Sequence, residues 1–474
     1  MEEKNVQSKT KELSTVKAVI LLVISILGIV IGKVVLNGDI SVVLIVDAAI
    51  VASLCMIWGI KWADIEEQMK ENFKSMTVPI VILMCVGMLV GIWITSGTIP
   101  TMIYYGMKFL SPKIFLVMAC LIASLMSVMT GTSWGTVATV GVALMGVSAG
   151  LQIPLAYTAG AITVGAIFGD KLSPLSDTTV LSAAVADVDV VDHIKYELFT
   201  TVPCLVISLV LYVFLGLQHG DAAIGGAEYT EMMDTLSSTF NINPVLLLPP
   251  IVVVALIVLK KPTVPTFFAG IVVAFFLALI FQGADVATAL NNMASGYKEA
   301  TGVAVVDSMV LRGGLSSMFS TIILVLAAGI FGAPLKASGT VQIIVAKLEK
   351  MAKNEKQMMI MVGLLHMILF IIVVSYYVSF IIIGNMTKDL YDKFGVSRKN
   401  LSRTLEDTGT ALAPVIPWGL SGAYYASTLG FASTWDFILF APITYLSCIV
   451  GAFYVITGLT IARADKKDKE AAVK

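Results

Sequence analysis

Charge is what this chain has least of. Of its 474 residues, 31 are Lys or Arg and 32 are Asp or Glu, together 13%, against roughly 25% in soluble domains. A fold with most of its surface in water is excluded. The formal net charge of -1 supplies no broad basic face, so no nucleic-acid partner is expected. Histidine occurs 3 times and cysteine 5 times. Cys55, Cys85, Cys120, Cys204 and Cys448 all lie in apolar runs without a CxxC pair. That leaves neither a disulfide framework nor a zinc ribbon, only small buried hydrophobes. The stretch Met1 to Lys17 is too polar, and the apolar run after it too long, for a cleaved signal peptide.

What is abundant is apolar: 57% of the residues are hydrophobic. Apolar segments fall at about 16-36, 40-60, 76-95, 113-130, 136-149, 152-168, 195-217, 244-260, 264-282, 317-336, 357-374, 376-384, 404-430 and 436-461. Several are long enough for the roughly 20 residues that cross a bilayer as helix. The chain reads as an all-α polytopic membrane protein whose main partner is the lipid bilayer.

An internal repeat organises these segments. SMTVPIVILMCVGMLVGIWITSGT begins at Ser75 and SMFSTIILVLAAGIFGAPLKASGT at Ser317. At this spacing of 242 residues Gly87 meets Gly329, and Ser96-Gly97-Thr98 meets Ser338-Gly339-Thr340. The expected organisation is a cytoplasmic N-terminus (1-15), a first repeat (16-217), an acidic linker (218-243), a second repeat (244-461) and a cytoplasmic tail (462-474). The linker carries Asp221, Glu228, Glu231 and Asp234 but no Lys or Arg, whereas basic residues gather at both ends of the chain. By the positive-inside rule the linker faces outward and both termini inward. Each repeat then crosses an odd number of times, about five crossings plus one re-entrant hairpin and an interrupted helix. The second repeat is therefore inverted relative to the first, an architecture of secondary transporters. The hairpin tips are expected at Gly131 to Thr136 and near Ser375 to Ser379, with a transport core over 113-190 and 357-430.

The polar residues inside this frame carry the chemistry. In GDKLSPLSDTT (169-179), proline and glycine free backbone carbonyls, and Asp170, Ser173, Ser176, Asp177, Thr178 and Thr179 add side-chain oxygens of the kind a hard cation uses. Irregular backbone at membrane depth is tolerated where it lines a cavity; a plain turn capped by Asp and Ser is the competing reading. Glu406 and Asp407 enter a second apolar segment that breaks at Pro417-Trp418-Gly419. Acids there cost about 3 kcal/mol each on insertion scales and mark function by default, although a helix start capped beside Arg403 would also place them. Asp177, Glu406 and Asp407 are candidates for coupling a proton, with Asp47 in reserve as a helix-packing partner. Two registers relate the halves here. Matching Asp407 to Asp177 gives an offset of 230. Matching Gly395-Val396-Ser397 to Gly146-Val147-Ser148 gives 249, which pairs the helix breaks and is preferred.

Gly131 to Gly135 also satisfies GxSxG, and His366 lies in another apolar segment. An intramembrane serine hydrolase is thus a remote alternative, although the pattern proper needs a strand before the serine. The pairs Gly28/Gly32 and Gly87/Gly91 are explained by helix packing. Lys347, Lys350, Lys353 and Lys356 suggest an interfacial helix.

GTSWGT (131-136), GDKLSPLSDTTVLSAAVA (169-186), DHIKYELFTTVP (192-203) and SRTLEDTGTALAPVIPWGLSGAYYASTLG (402-430) resemble the NhaC-type sodium/proton antiporter family over about 70-460. The resemblance implies a multi-pass transporter of the bacterial inner membrane that exchanges Na+ for H+ by alternating access, without a cofactor. It carries over Thr132 and Ser133 at the first hairpin tip, Asp177 and Thr178, and Glu406, Asp407 and Thr408; Ser375 stands at the second tip, without the glycines of the first. Sodium would bind these same oxygens. Because the family also contains malate/lactate exchangers, a carboxylate antiporter using Thr132, Ser133, Ser375 and Lys171 as donors is the alternative, weakened by the lack of an arginine near either break except Arg403. The remaining helices would form a scaffold with room for a homodimer contact.

Overall fold

The computed structural model describes residues 13–219, 227–259, 261–340, 342–343, 347, 351–373 and 375–464. Most of the N-terminal segment, part of the linker, most of the 347–350 lysine stretch and the end of the tail lie outside the described residues. Apart from one isolated bridge between Val396 and Arg463, the described residues form helices and turns. Among the described residues eight helices are long and apolar enough to cross a membrane, or up to 9 if the bent pair Tyr229–Thr239 and Pro244–Ile257 is one span.

Helix starts follow local chemistry. Free N–H groups of a first turn need acceptors, and Asp39 accepts from Ser41 and Val42, Asp189 from Val191 and Asp192, and Asp285 from Thr288. The third long helix, Trp62–Thr95, begins well before its apolar run. Its first turns carry a Glu66–Lys70 ion pair at 2.8 Å, and only Met76–Thr95 qualifies as a span. The acidic linker contains a helix, Ala227–Thr239.

Burial separates periphery from core. In the span Thr15–Lys33 only 22% of the window is buried, whereas in Ser133–Gly150 the share is 83%. Val210, Phe214 and Ile280 face outward with more than half their surface open, as lipid contact requires. Gly28 and Gly32 let the first two helices close together: a methyl on Gly28 would lie 2.5 Å from the Asp47 carboxyl carbon, and one on Gly32 2.6 Å from Val43.

The two halves are built alike. Helices starting at Pro112, Ser133 and Asp177 are answered by helices starting at Glu355, Tyr376 and Leu420, an offset of 243 residues each time. The breaks therefore correspond at 173–176 and 416–419, not at the offset of 249. Gly146 to Ser148 lie inside a helix, whereas Gly395 to Ser397 form a turn and bridge; the matching tripeptides are not structurally equivalent.

Candidate functional site

Each half supplies a helical hairpin and a broken helix. In the first half Pro112–Thr130 ends at Gly131, whose φ of 66° is a left-handed conformation that suits glycine. Thr132 then caps the return helix by accepting from the Gly135 N–H at 3.3 Å. The first arm lies on the helix Leu155–Leu172 because Gly165 and Gly169 have no side chain: methyls there would meet the Cys120 carbonyl oxygen at 2.3 Å and Ser127 Cβ at 2.4 Å. Ser127 Oγ donates to the Ala166 carbonyl at 2.6 Å. This packing sets the end of the broken helix beside the hairpin tip.

Asp170 stands at that meeting point and is 4% exposed. Ser133 Oγ donates to its Oδ2 at 2.6 Å and Ser176 Oγ to its Oδ1 at 2.7 Å. Thr179 Oγ1 donates to its carbonyl at 2.9 Å, and Ser176 pairs with Thr178 at 2.9 Å. Asp177, exposed, begins the helix after the break, and one of its oxygens accepts a hydrogen bond from the Tyr377 hydroxyl. A cavity of about 250 Å³ joins these groups; Thr132, Ser133, Asp170 and Asp177 line it together with Tyr376 and Tyr377 from the second hairpin tip. Asp170 is its buried floor and Asp177 its open mouth. Each hydroxyl can donate to the carboxylate while keeping lone pairs for a cation. Among the described residues no Lys, Arg or His lines this cavity.

The neighbouring residue faces the other way. Lys171 Nζ lies 2.8 Å from Glu197 Oε1 and 2.7 Å from Asp407 Oδ1, and all three side chains are almost wholly buried. Asp407 therefore belongs to an ion triad rather than to the Asp170 oxygen cluster. Glu406 is fully buried, and neither carboxyl oxygen has a hydrogen-bond partner among the described residues. Thr408 bonds His366 Nδ1 at 2.7 Å, and Ser379 bonds its Nε2 at 3.0 Å. Ser173 donates to the Val128 carbonyl at 2.7 Å, and Ser375 is buried at the start of the second return helix. Asp47 is buried against Gly28 of the first helix and has no hydrogen-bond partner among the described residues. Arg403 stacks over the Tyr196 ring at 4.4 Å and donates to Thr460 at 3.0 Å.

Ser133 bonds an aspartate and His366 bonds two other hydroxyls. The serine–histidine pair that hydrolysis would need is not formed, which overturns the hydrolase alternative. The sequence reading missed Glu197, Tyr376 and Tyr377 as site members. A signal for Glu197 existed, since it is the acid that interrupts the apolar course of the helix Val190–Gln218.

The hairpin tips are exchanged between halves. Trp134 of the first tip stacks on Tyr424 with ring centroids 4.3 Å apart, and the Tyr424 hydroxyl donates to the Trp134 carbonyl at 2.9 Å. The second tip reaches Asp177 through Tyr377.

Comparison with known proteins places this arrangement. The Na+/H+ antiporter family model matches residues 7–217 and again 197–459. The chain is 36% identical over 430 residues to the Na+/H+ antiporter NhaC of Alkalihalophilus pseudofirmus, covering 90% of this chain and 92% of the relative. It is 34% identical to the malate-2H+/Na+-lactate antiporter of Bacillus subtilis, covering 89% and 90%. It is also 34% identical to an uncharacterised Na+/H+ antiporter of Haemophilus influenzae, covering 97% and 99%. With its helical hairpins, broken helices and two matched repeats, the chain belongs to the Na+/H+ antiporter family and is a transporter rather than an enzyme.

Proposed function

We propose that the protein exchanges sodium for protons, with the cation held at Asp170. The observation that carries this reading is the buried Asp170 carboxylate, bonded on both oxygens by hydroxyls and facing a cavity of about 250 Å³. Hard cations take carboxylate and hydroxyl oxygens. Ser133, Thr132, Asp177 and Thr178 complete the candidate ligand set. The acid-lined cavity repels organic anions, and Lys171, the donor a carboxylate would need, is held by Glu197 and Asp407. These features favour ion exchange over malate/lactate exchange.

Charge balance explains the coupling. Around the ion cavity and the Lys171 triad stand five carboxyl groups, Asp170, Asp177, Glu197, Glu406 and Asp407, against the nearby cations of Lys171 and Arg403. An unpaired carboxylate in a dry site is costly, and either a proton or a sodium ion removes that cost. The two therefore compete, and their alternation drives exchange.

The two repeats lie inverted in a bacterial inner membrane, with the linker helix Ala227–Thr239 outward. Movement of the hairpin tips against the broken helices opens the cavity to alternate sides. The test is sodium-dependent dissipation of a proton gradient in proteoliposomes. Wild type should respond to sodium without any organic acid, and Asp170→Asn should abolish the response while inserting normally. Exchange by that variant at the wild-type rate would refute the site.

A further inference from the structure

A second cavity, of about 550 Å³, shares no lining residue with the ion site. It is enclosed by the segment 295–318, Val90 of the third long helix and the end of the helix Leu420–Leu429. The ion cavity touches the third helix at Val78, Pro79 and Ile82. Eight residues separate Ile82 from Val90, about 12 Å along a helix at 1.5 Å per residue. The two cavities are thus separate places on the transporter. Contact between Tyr297 and Phe240, with ring centroids 5.5 Å apart, sets the second cavity at the end of the molecule that carries the acidic linker helix.

Its lining sets basic and hydroxyl side chains among apolar surface from Val90, Leu311 and Met318. Arg312 and Lys298 supply two positive charges, and Ser316, Ser317, Ser427 and Thr428 supply neutral polar groups. Among the described residues no carboxylate lines it. Arg312 is half-buried and donates one hydrogen bond, from Nη2 to the Thr428 carbonyl at 3.0 Å. A guanidinium has five N–H donors, and no ion pair engages Arg312 or Lys298 among the described residues. The acids of the same segment already accept hydrogen bonds: Glu299, next to Lys298, from the lining Tyr297 at 3.3 Å, and Asp307 from Thr301 at 2.6 and 2.8 Å.

The guanidinium is also held in place. Gly313 and Gly314 have φ values of 85° and 82°, a left-handed backbone that favours glycine. Gly314 N–H donates to the Gly87 carbonyl at 2.8 Å, and Tyr297 N–H to the Arg312 carbonyl at 3.3 Å. A methyl on Gly430 would come within 3.3 Å of Arg312 Nη2. Glycines on both sides therefore admit the side chain and anchor the turn that carries it. A positioned, uncompensated arginine in a cavity wide enough for several carbon atoms is a receptor for an anion larger than chloride, and the planar fork matches a carboxylate in bidentate fashion.

We propose that this cavity binds a small organic carboxylate, clamped by Arg312 and reached by Lys298. The site is additional to the sodium site and stands whether or not Asp170 holds the cation.

Isothermal titration of succinate and acetate into the purified full chain in sodium-free detergent buffer tests it. Saturable binding of succinate is expected, weakened about tenfold or more in Arg312→Gln, as loss of a charge-assisted hydrogen bond implies, and about threefold in Lys298→Gln. Asp170→Asn should bind succinate like wild type, which separates this site from the ion site. Absence of saturable binding would overturn the proposal, as would unchanged affinity in Arg312→Gln. Sulfate or phosphate competing as well as succinate would replace the carboxylate with a general anion. Should Arg312→Gln not fold, Lys298→Gln decides, because that side chain is exposed and an unchanged affinity there overturns the clamp.

Discussion

Replacing Gly169 with alanine tests whether hairpin packing sets the ion site. Non-bonded carbons settle near 3.5–4.0 Å, but a methyl on Gly169 would meet Ser127 Cβ at 2.4 Å, Val128 N at 2.5 Å and the Ser124 carbonyl oxygen at 2.6 Å. Two of these neighbours are backbone, so no side-chain rotation relieves the clash. The hairpin arm and the broken helix must separate by about 1 Å. The Ser133–Asp170 bond, 2.6 Å in the structure, then opens to about 3.6 Å, beyond hydrogen-bond range. A bond to a charged group contributes about 1.5–3 kcal/mol, so half-maximal sodium in the proteoliposome assay should rise about tenfold to a hundredfold. Overpacking should also lower stability by about 1–3 kcal/mol. Gly363→Ala is the control, since its methyl would meet Thr404 Cγ2 at an ordinary 3.4 Å. A wild-type sodium response in Gly169→Ala, or equal impairment in the control, would refute the reasoning.

Three further outcomes follow from the geometry. Lys171→Met leaves Glu197 and Asp407 without their shared cation and should destabilise the protein by about 3–5 kcal/mol; adding Glu197→Gln should recover part of the loss in a thermal melt, and no recovery would count against the triad. Tyr377→Phe removes the hydroxyl that bonds Asp177; it should leave the melting temperature unchanged and shift the sodium dependence several-fold, and an unaltered dependence would sink the role of the second tip. Asp307, outside the spans, is held below the usual carboxylate range by the Thr301 N–H and hydroxyl. Its contribution is therefore present above the unfolded pKa of about 3.9 and lost as pH falls through the folded value. Protection of the 301–307 amides, relative to intrinsic exchange at the same pH, should fall below about pH 4 in wild type but not in Asp307→Asn, and a pH-independent protection factor in wild type would contradict this.

Much of this was legible because lipid makes hydropathy decisive. The spans near 40-60, 76-95 and 264-282 lie where uncharged runs put them, and the first tip falls at Gly131 because a glycine, a hydroxyl cap and a helix restart are local signals. The break at 173–176 was visible for the same reason. Long-range pairing was not. Lys171 finds Glu197 and Asp407 at separations of 26 and 236 residues, which no local pattern records. Adjacent Glu406 and Asp407 read as one unit, yet successive residues of a helical turn point to different sides, and only Asp407 reaches Lys171. The linker helix and the early start at Trp62 escaped notice because polar helices leave little trace in hydropathy.

The reciprocal docking of the hairpin tips has a consequence for the chain as an inherited object. The helix Asp177–Val185 of the first half is tied at its start to Tyr377, and just beyond its end Asp187 pairs with Lys388 at 2.8 Å and Arg398 at 2.5 Å. Between these ties Val185 packs on Gly384, where an added methyl would meet it at 2.6 Å. Trp134 is held in turn by Tyr424. Each hairpin tip thus takes part of its contacts from the opposite half. Substitutions at Asp177 and Tyr377, or at Trp134 and Tyr424, consequently have to be tolerated as pairs, although each pair spans two copies of the repeat.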